Sequence, residues 1–290
     1  MSAQLQIPLA PELAVFALAV LVLLAGLVKP GRAIGWIAFV GLLLVFGLMH
    51  YAPEGQVLFG GAFVQDALAL FTKRLFIGAT ALSLLGSLTI GHATFDRRAG
   101  EYHFAILVSL LGMLVLASAR DLILLFVAFE LMSIPLYMLT GFLKRDAVAP
   151  EAALKFFLVG TVSSAVIAYG MSFIYGATGG TALALIPQAL RDGQPTVLLG
   201  MGLLLAGLGF KIAAFPFHMW APDSYEAAST PFTSFMASAT KVAALTVLLR
   251  VLVTAFPDND DLWTIAVAAI ACVSLAVGNL GAIWQRDVKR

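Results

Sequence analysis

Charge is scarce in this sequence. Only 11% of its 290 residues are Asp, Glu, Lys or Arg, where a soluble domain carries about 25%. That shortage excludes an ordinary water-soluble globule. The few charges nearly cancel, at a formal +1, so nothing points to nucleic acid as a partner. Cysteine is almost absent. A lone Cys272 excludes a disulfide or an iron–sulfur site built within the chain and reads as a small helical residue. The opening MSAQLQIPLAPE has no basic segment, so the first apolar run reads as a membrane span rather than a cleaved leader. The apolar runs do not alternate with polar residues, which argues against a β-barrel.

What the chain has is apolar length. Hydrophobic residues make up 61% and the mean hydropathy is +0.99. Several almost uncharged runs reach the roughly 17–25 residues that cross a bilayer as a helix. The pattern predicts an all-α, polytopic transmembrane bundle of nine spans: 11–28, 33–51, 66–91, 101–118, 121–142, 151–175, 196–222, 229–255 and 262–283. The longest connection, 176–195, is expected to hold a short interfacial helix.

Loop charges give an orientation. One set of alternate loops holds nine cations: Lys29, Arg32, Arg97, Arg98, Lys144, Arg145, Arg286, Lys289 and Arg290. The other set holds only two, Arg120 and Arg191. Cations concentrate on the cytoplasmic side, so the N-terminus is expected outside. The turn HMWAPDSYEAAST breaks the pattern, with Asp223 and Glu226 but no cation.

Three charges lie too deep in their spans to reach water: Glu130, Lys211 and Lys241. An ionisable residue at the bilayer centre costs about 2.5–3.5 kcal/mol on insertion scales. These three read either as a structural ion pair or as a chain of titratable groups along which protons move. Lys73, Arg74, Lys155 and Arg250 lie nearer span ends, where long side chains snorkel to water. Asp66 sits at a span start and reads as interfacial.

Proline placement favours the titratable chain. Pro135 follows Glu130 by five residues, and Pro216 follows Lys211 by five. Proline removes one helical hydrogen bond and clashes one turn back, and the freed carbonyls must find water or a side chain. Each deep charge is thus expected beside a helix break, with residues around 211–217 not continuous helix. Lys241 has no proline of its own. Ser234, Ser238 and Thr240 are its candidate partners. His218 has no second histidine three or four residues away, which argues against a metal site. It reads either as an interfacial polar residue or as a proton-uptake group with Asp223 and Glu226. The glycines of LLGMGLLLAGLGF suit close helix packing.

Four stretches carry a family resemblance: FELMSIPLYMLTGF, EAALKFFLVGTVSSAVIAYGMSFIYGATG, GFKIAAFPFHMWAPDSYEAASTPFTSFMASATKVAALTVLLRVL and GNLGAIWQRDVKR. They resemble the antiporter-like membrane subunits of proton-translocating NADH–quinone oxidoreductase (respiratory complex I), within them the subunit N group. Residues 1–120 fit by length and hydrophobicity alone. The resemblance implies that Glu130, Lys211 and Lys241 form one half of a proton channel, with Lys155 assisting. It implies an antiporter-like fold of about fourteen helices, of which about nine are present. Residues 1–100 would be three N-terminal helices, 101–257 a first five-helix repeat, and 258–290 the start of a second, inverted repeat. The second broken helix and its lysine would lie beyond Arg290, as in a fragment or a truncated gene.

It further implies a bacterial inner-membrane protein surrounded by lipid and other membrane-arm subunits. Quinone, FMN and iron–sulfur clusters would belong to the complex, with no cofactor in this chain. Two unit charges about 4 Å apart interact by about 4 kcal/mol at an effective dielectric near 20. Neutralising one of a Glu130–Lys211 pair would then change the other's proton affinity by about three orders of magnitude. Three rival readings are a subunit of a multi-subunit cation/proton antiporter or membrane-bound hydrogenase, a stand-alone solute carrier, and a structural membrane subunit without a pathway.

Overall fold

The computed structural model describes residues 9–91, 93–143, 148–257 and 260–290. Among the described residues, thirteen α-helices follow in chain order. They are α1 (Ala10–Val28), α2 (Ala33–Leu48), α3 (Ala67–Ser87), α4 (Ala93–Arg97), α5 (Ala99–Ser118), α6 (Leu122–Thr140) and α7 (Val148–Thr178). After these come α8 (Ile186–Arg191), α9 (Pro195–Ile212), α10 (Trp220–Ala227), α11 (Thr230–Ala237), α12 (Ala239–Ala255) and α13 (Asp260–Ile283). Eight of the apolar stretches are long enough to cross a membrane, counting Thr230–Ala255 as one, and the shorter apolar α2 is a ninth. The expected nine spans are therefore present. The connection over 176–195 holds a short helix, α8. One small addition is an antiparallel hairpin of β1 (Gln56–Leu58) and β2 (Phe63–Gln65) between α2 and α3. Lys144 and Arg145 of the charge census lie outside the described residues.

Local chemistry sets several helix ends. Asp66 caps α3 by accepting from the Ala69 amide at 2.8 Å. Asp121 caps α6 through the Ile123 and Leu124 amides. Each cap satisfies amides that have no partner within their own helix. Gly112 brings α5 against α6: a Cβ there would lie 2.5 Å from the Met132 amide nitrogen. α7 and α9 pack similarly, and Ser163 Oγ donates to the Gly207 carbonyl at 3.1 Å.

The structure bears out the expected break around 211–217 and corrects the one expected at Pro135. α6 runs through Pro135 without interruption, because its backbone is held on both sides by α5 and α7. The span expected over 196–222 ends at Ile212 instead, and α10 is a separate helix. Ala213 closes α9 in the left-handed conformation, φ 62° and ψ 39°, and the Ala214 amide returns to the Gly209 carbonyl at 2.9 Å. For a residue with a Cβ that conformation costs about 1–2 kcal/mol. A second discontinuity has no proline. Ser238, at φ −110° and ψ −77°, separates α11 from α12. Its hydroxyl donates to the Ser234 carbonyl at 2.6 Å, a back-bond that bends helices.

The snorkelling expectation fails for two cations. Lys73 is fully buried and Arg250 is 3% exposed. Both find acidic partners inside the protein, and neither reaches toward water. Lys73 Nζ lies 2.7 Å from Glu12 Oε1 and donates to Gln65 Oε1 at 2.9 Å. Arg250 pairs with Asp66.

Candidate functional site

Glu130, Lys211 and Lys241 come together where α6, α7, α9 and α12 meet around the end of α9. Lys211 is 8% exposed. Its ammonium donates to Ser133 Oγ at 2.9 Å, Tyr137 Oη at 3.3 Å and Ser164 Oγ at 3.5 Å. Glu130 Oε1 is 3.9 Å away. Ser164 bridges the pair, since its hydroxyl also donates to Glu130 Oε1 at 2.5 Å. Taking an ammonium out of water costs several kcal/mol, and attraction to a carboxylate offsets this only when further hydrogen bonds are made. Three hydroxyls supply those bonds here.

Helix periodicity explains the cage. Ser133 and Tyr137 lie three and seven residues beyond Glu130, so all three share one face of α6. Gly160 on α7 leaves room for the phenol, because a Cβ there would overlap Tyr137 Oη. Phe156, one turn earlier on α7, packs edge-on against the Tyr137 ring at 4.7 Å.

Lys241 sits in the first turn of α12. It does not use Ser234, Ser238 or Thr240, the partners expected from sequence. Ser238 and Thr240 donate to carbonyls of their own chain segment, Ser234 and Met236. Lys241 Nζ instead donates to the Lys211 carbonyl at 3.3 Å and lies 4.3 Å from the centre of the Trp220 ring, a cation–π contact. That carbonyl is available because α9 ends one residue later. The last carbonyls of a helix have no partner within it. Trp220 uses another of them, donating Nε1–H to the Phe210 carbonyl at 3.0 Å, and stacks on Phe156 at 4.4 Å. The end of α9 thus holds the second lysine on the backbone carbonyl of the first.

The two secondary candidates stand apart. Lys155 is exposed and pairs with Glu151 at 2.7 Å and Asp223 at 3.5 Å, joining α7 to α10. His218 lies in the loop between α9 and α10. Its Nδ1 is buried without a hydrogen-bond partner. Asp223 and Glu226 both pair with Arg290. Among the described residues, no group of three or more His, Cys, Asp or Glu side chains could hold a metal ion. Sequence reasoning missed Ser133, Tyr137, Ser164 and Trp220. The spacing of Ser133 and Tyr137 from Glu130 was a usable signal. Nothing in the sequence marks Ser164 or Trp220.

A bundle of apolar helices with one interrupted beside a buried lysine has the fold of the antiporter-like class of membrane subunit. The same fold occurs in the membrane-bound sulfane sulfur reductase, an archaeal respiratory membrane complex. That likeness has a TM-score of 0.83 at 23% identity and covers 96% of this chain and 60% of that one. Respiratory complex I from Thermus thermophilus contains a chain that matches at TM-score 0.78 and 34% identity, over 96% of this chain and 60% of its own. The chain belongs to the family described as NADH:quinone oxidoreductase/Mrp antiporter, TM, which matches residues 119–290.

Two sequence relatives are named as subunit N. NADH-quinone oxidoreductase subunit N 1 of Thermodesulfovibrio yellowstonii is 42% identical, over 97% of this chain and 61% of the relative. NADH-quinone oxidoreductase subunit N of Desulforamulus reducens is 40% identical, over 96% and 60%. The chain spans about 60% of the length of these curated relatives.

Proposed function

We propose that this chain is a subunit N-type component of the membrane arm of a bacterial NADH–quinone oxidoreductase, and that it carries one half of a proton-translocation pathway. The observation that supports this most strongly is the contact sequence Glu130–Ser164–Lys211–Lys241. It offers a carboxylate and an amine joined through Ser164, with a second amine held on the backbone carbonyl of the first lysine.

In this reading the chain does no redox chemistry. Electron transfer from NADH to quinone takes place in other subunits, which hold the FMN and iron–sulfur clusters, and reaches Glu130 as a change in electrostatics. With Glu130 charged, the Lys211 ammonium is stabilised. Neutralising or moving Glu130 removes about 4 kcal/mol at about 4 Å and an effective dielectric near 20, and Lys211 gives up its proton. The Lys211 carbonyl holds Lys241 but cannot pass a proton. Transfer between the amines therefore needs a bridging water or a swing of Lys241 away from the Trp220 ring. His218 and Lys155 serve as peripheral proton-collecting groups on the cation-rich face, which is cytoplasmic, with the N-terminus outside. Partners are the lipid bilayer and the other membrane-arm subunits.

The test is proton translocation measured against NADH oxidation in membranes carrying Lys241→Met or Lys241→Arg. Methionine keeps the apolar stem. Arginine keeps the charge but does not release its proton. Both complexes assemble, and both move fewer protons per NADH. Native yield in both variants removes Lys241 from the pathway, and native yield in the arginine variant alone assigns it a structural role. Co-purification with subunits of a cation/proton antiporter, in place of NADH-oxidising subunits, would refute the assignment to this complex.

A further inference from the structure

We propose that the Asp66–Arg250 pair is a clamp that positions Lys241, acting through α3, which bridges the discontinuity between α11 and α12. The inference rests on the reading of Lys241 as a proton carrier and adds the device that holds it in place.

Arg250 is on the same helix as Lys241, toward its far end. It grips Asp66 with both terminal nitrogens, Nη1 to Oδ2 at 2.8 Å and Nη2 to Oδ1 at 2.9 Å. Nη2 also donates to the Ala117 carbonyl at the end of α5, at 2.6 Å. A planar guanidinium holding a carboxylate with two parallel bonds fixes rotation as well as distance. Asp66 is itself fixed, since it caps α3 and accepts from Arg120 at 2.8 Å. The other end of α3 holds α11: Ser83 Oγ donates to the Pro231 carbonyl at 2.7 Å.

One straight helix therefore grips the broken helix at both ends. Ser238, at φ −110° and ψ −77°, distorts the rod between these two grips, although the Ser238 and Val242 amides still reach the Ser234 and Ser238 carbonyls at 3.1 Å, and Lys241 lies just beyond the distortion. With the rod bent there, the rotation of α12 depends also on what holds its far end. That rotation decides whether Lys241 points at the Lys211 carbonyl and the Trp220 ring.

The cluster is not an extension of the proton pathway. Ala243, Ala244 and Val247 lie between Lys241 and Arg250 and are buried and apolar. Thr246 donates to the Val242 carbonyl of its own helix. Arginine does not give up its proton in proteins. The side chains between them on this helix are apolar and Arg250 itself carries no proton to give, so Arg250 acts on Lys241 through the helix.

The test uses the intact complex with Asp66→Asn, which keeps the α3 cap but loses the charge. Beside it stands the double variant Asp66→Asn/Arg250→Met, which removes both charges together and avoids leaving one buried alone. Arg250→Lys is the conservative variant, keeping charge but losing the fork. Amide hydrogen exchange is read at residues 238–242, and proton yield per NADH is compared with Lys241→Met. Exchange at 238–242 rises in all three variants, least in Arg250→Lys. Proton yield falls toward that of Lys241→Met while NADH oxidation continues. Unchanged exchange at 238–242, with any increase confined to residues 250–255, overturns the clamp whatever the yield. Native yield in Lys241→Met would remove the underlying reading instead, and the exchange data would still decide the positioning.

Discussion

Two buried charged clusters in this molecule are built on opposite rules. Around Lys211 and Lys241 the cations are lysines, each held by single-point contacts to hydroxyls, a carbonyl and a ring. The cations bonded to Asp66 are the arginines Arg120 and Arg250, and the link to Arg250 is a two-pronged fork. Lysine is a compact point charge that shifts its proton readily when buried, whereas arginine stays charged and fixes geometry. The difference matches the proposed roles, a lysine cluster that changes state and an arginine cluster that holds the helices. Exchanging the residue types between clusters should exchange the failures.

The largest effect is expected at the fork. Arg250→Ala strips Asp66 of its two-pronged partner. Because Asp66 is partly exposed and keeps Arg120, the loss stays below about 3–5 kcal/mol, the cost of breaking a fully buried pair from one side. Thermal dissociation of the complex should show that loss. A melting profile like that of the wild type would mean that the arginine cluster is not holding α12. Glu130→Gln should do the reverse. The side-chain amide retains an oxygen for Ser164, so assembly and NADH oxidation persist, but proton yield falls because the switchable charge is gone. Full yield in that variant would erase the distinction between the clusters.

Gly160→Ala sharpens the comparison within the lysine cluster. The added methyl displaces the Tyr137 hydroxyl from Lys211, and overpacking of this kind costs about 1–3 kcal/mol. The expected result is a modest loss of stability with a lower proton yield, while exchange at residues 238–242 stays native. Exchange rising at residues 250–255 would couple the two clusters more closely than the apolar layer between them allows. The smallest effect is expected from Lys155→Ala. Its ion pairs are exposed, so the melting profile should not move, and proton yield at saturating NADH should match wild type. A fall as deep as that of Lys241→Met would place Lys155 in the pathway itself.

The span pattern was legible because a bilayer reduces folding to length and hydropathy, and nine runs stand out on both. The deep position of Glu130, Lys211 and Lys241 was legible for the same reason, since a charge is conspicuous in an apolar run. The partner of Lys241 was not. It is a backbone carbonyl, and its availability depends on where α9 stops, which Ala213 decides by a conformation that alanine does not advertise. The break at Ser238 was hidden because serine sits in helices as often as it bends them. Lys73 and Arg250 were misread because depth along a span does not tell which face a side chain takes. Their partners, Glu12 and Asp66, come from helices far away in sequence.

The central claim is that Lys211 must release a proton and not merely be charged. Lys211→Arg tests this most directly, because Ser133, Tyr137, Ser164 and Glu130 still face a cation. Protons translocated per NADH oxidised should be measured in membranes from a strain carrying only that change. The account predicts an assembled complex that oxidises NADH but moves fewer protons for each one. An assembled complex with the native proton yield would contradict it.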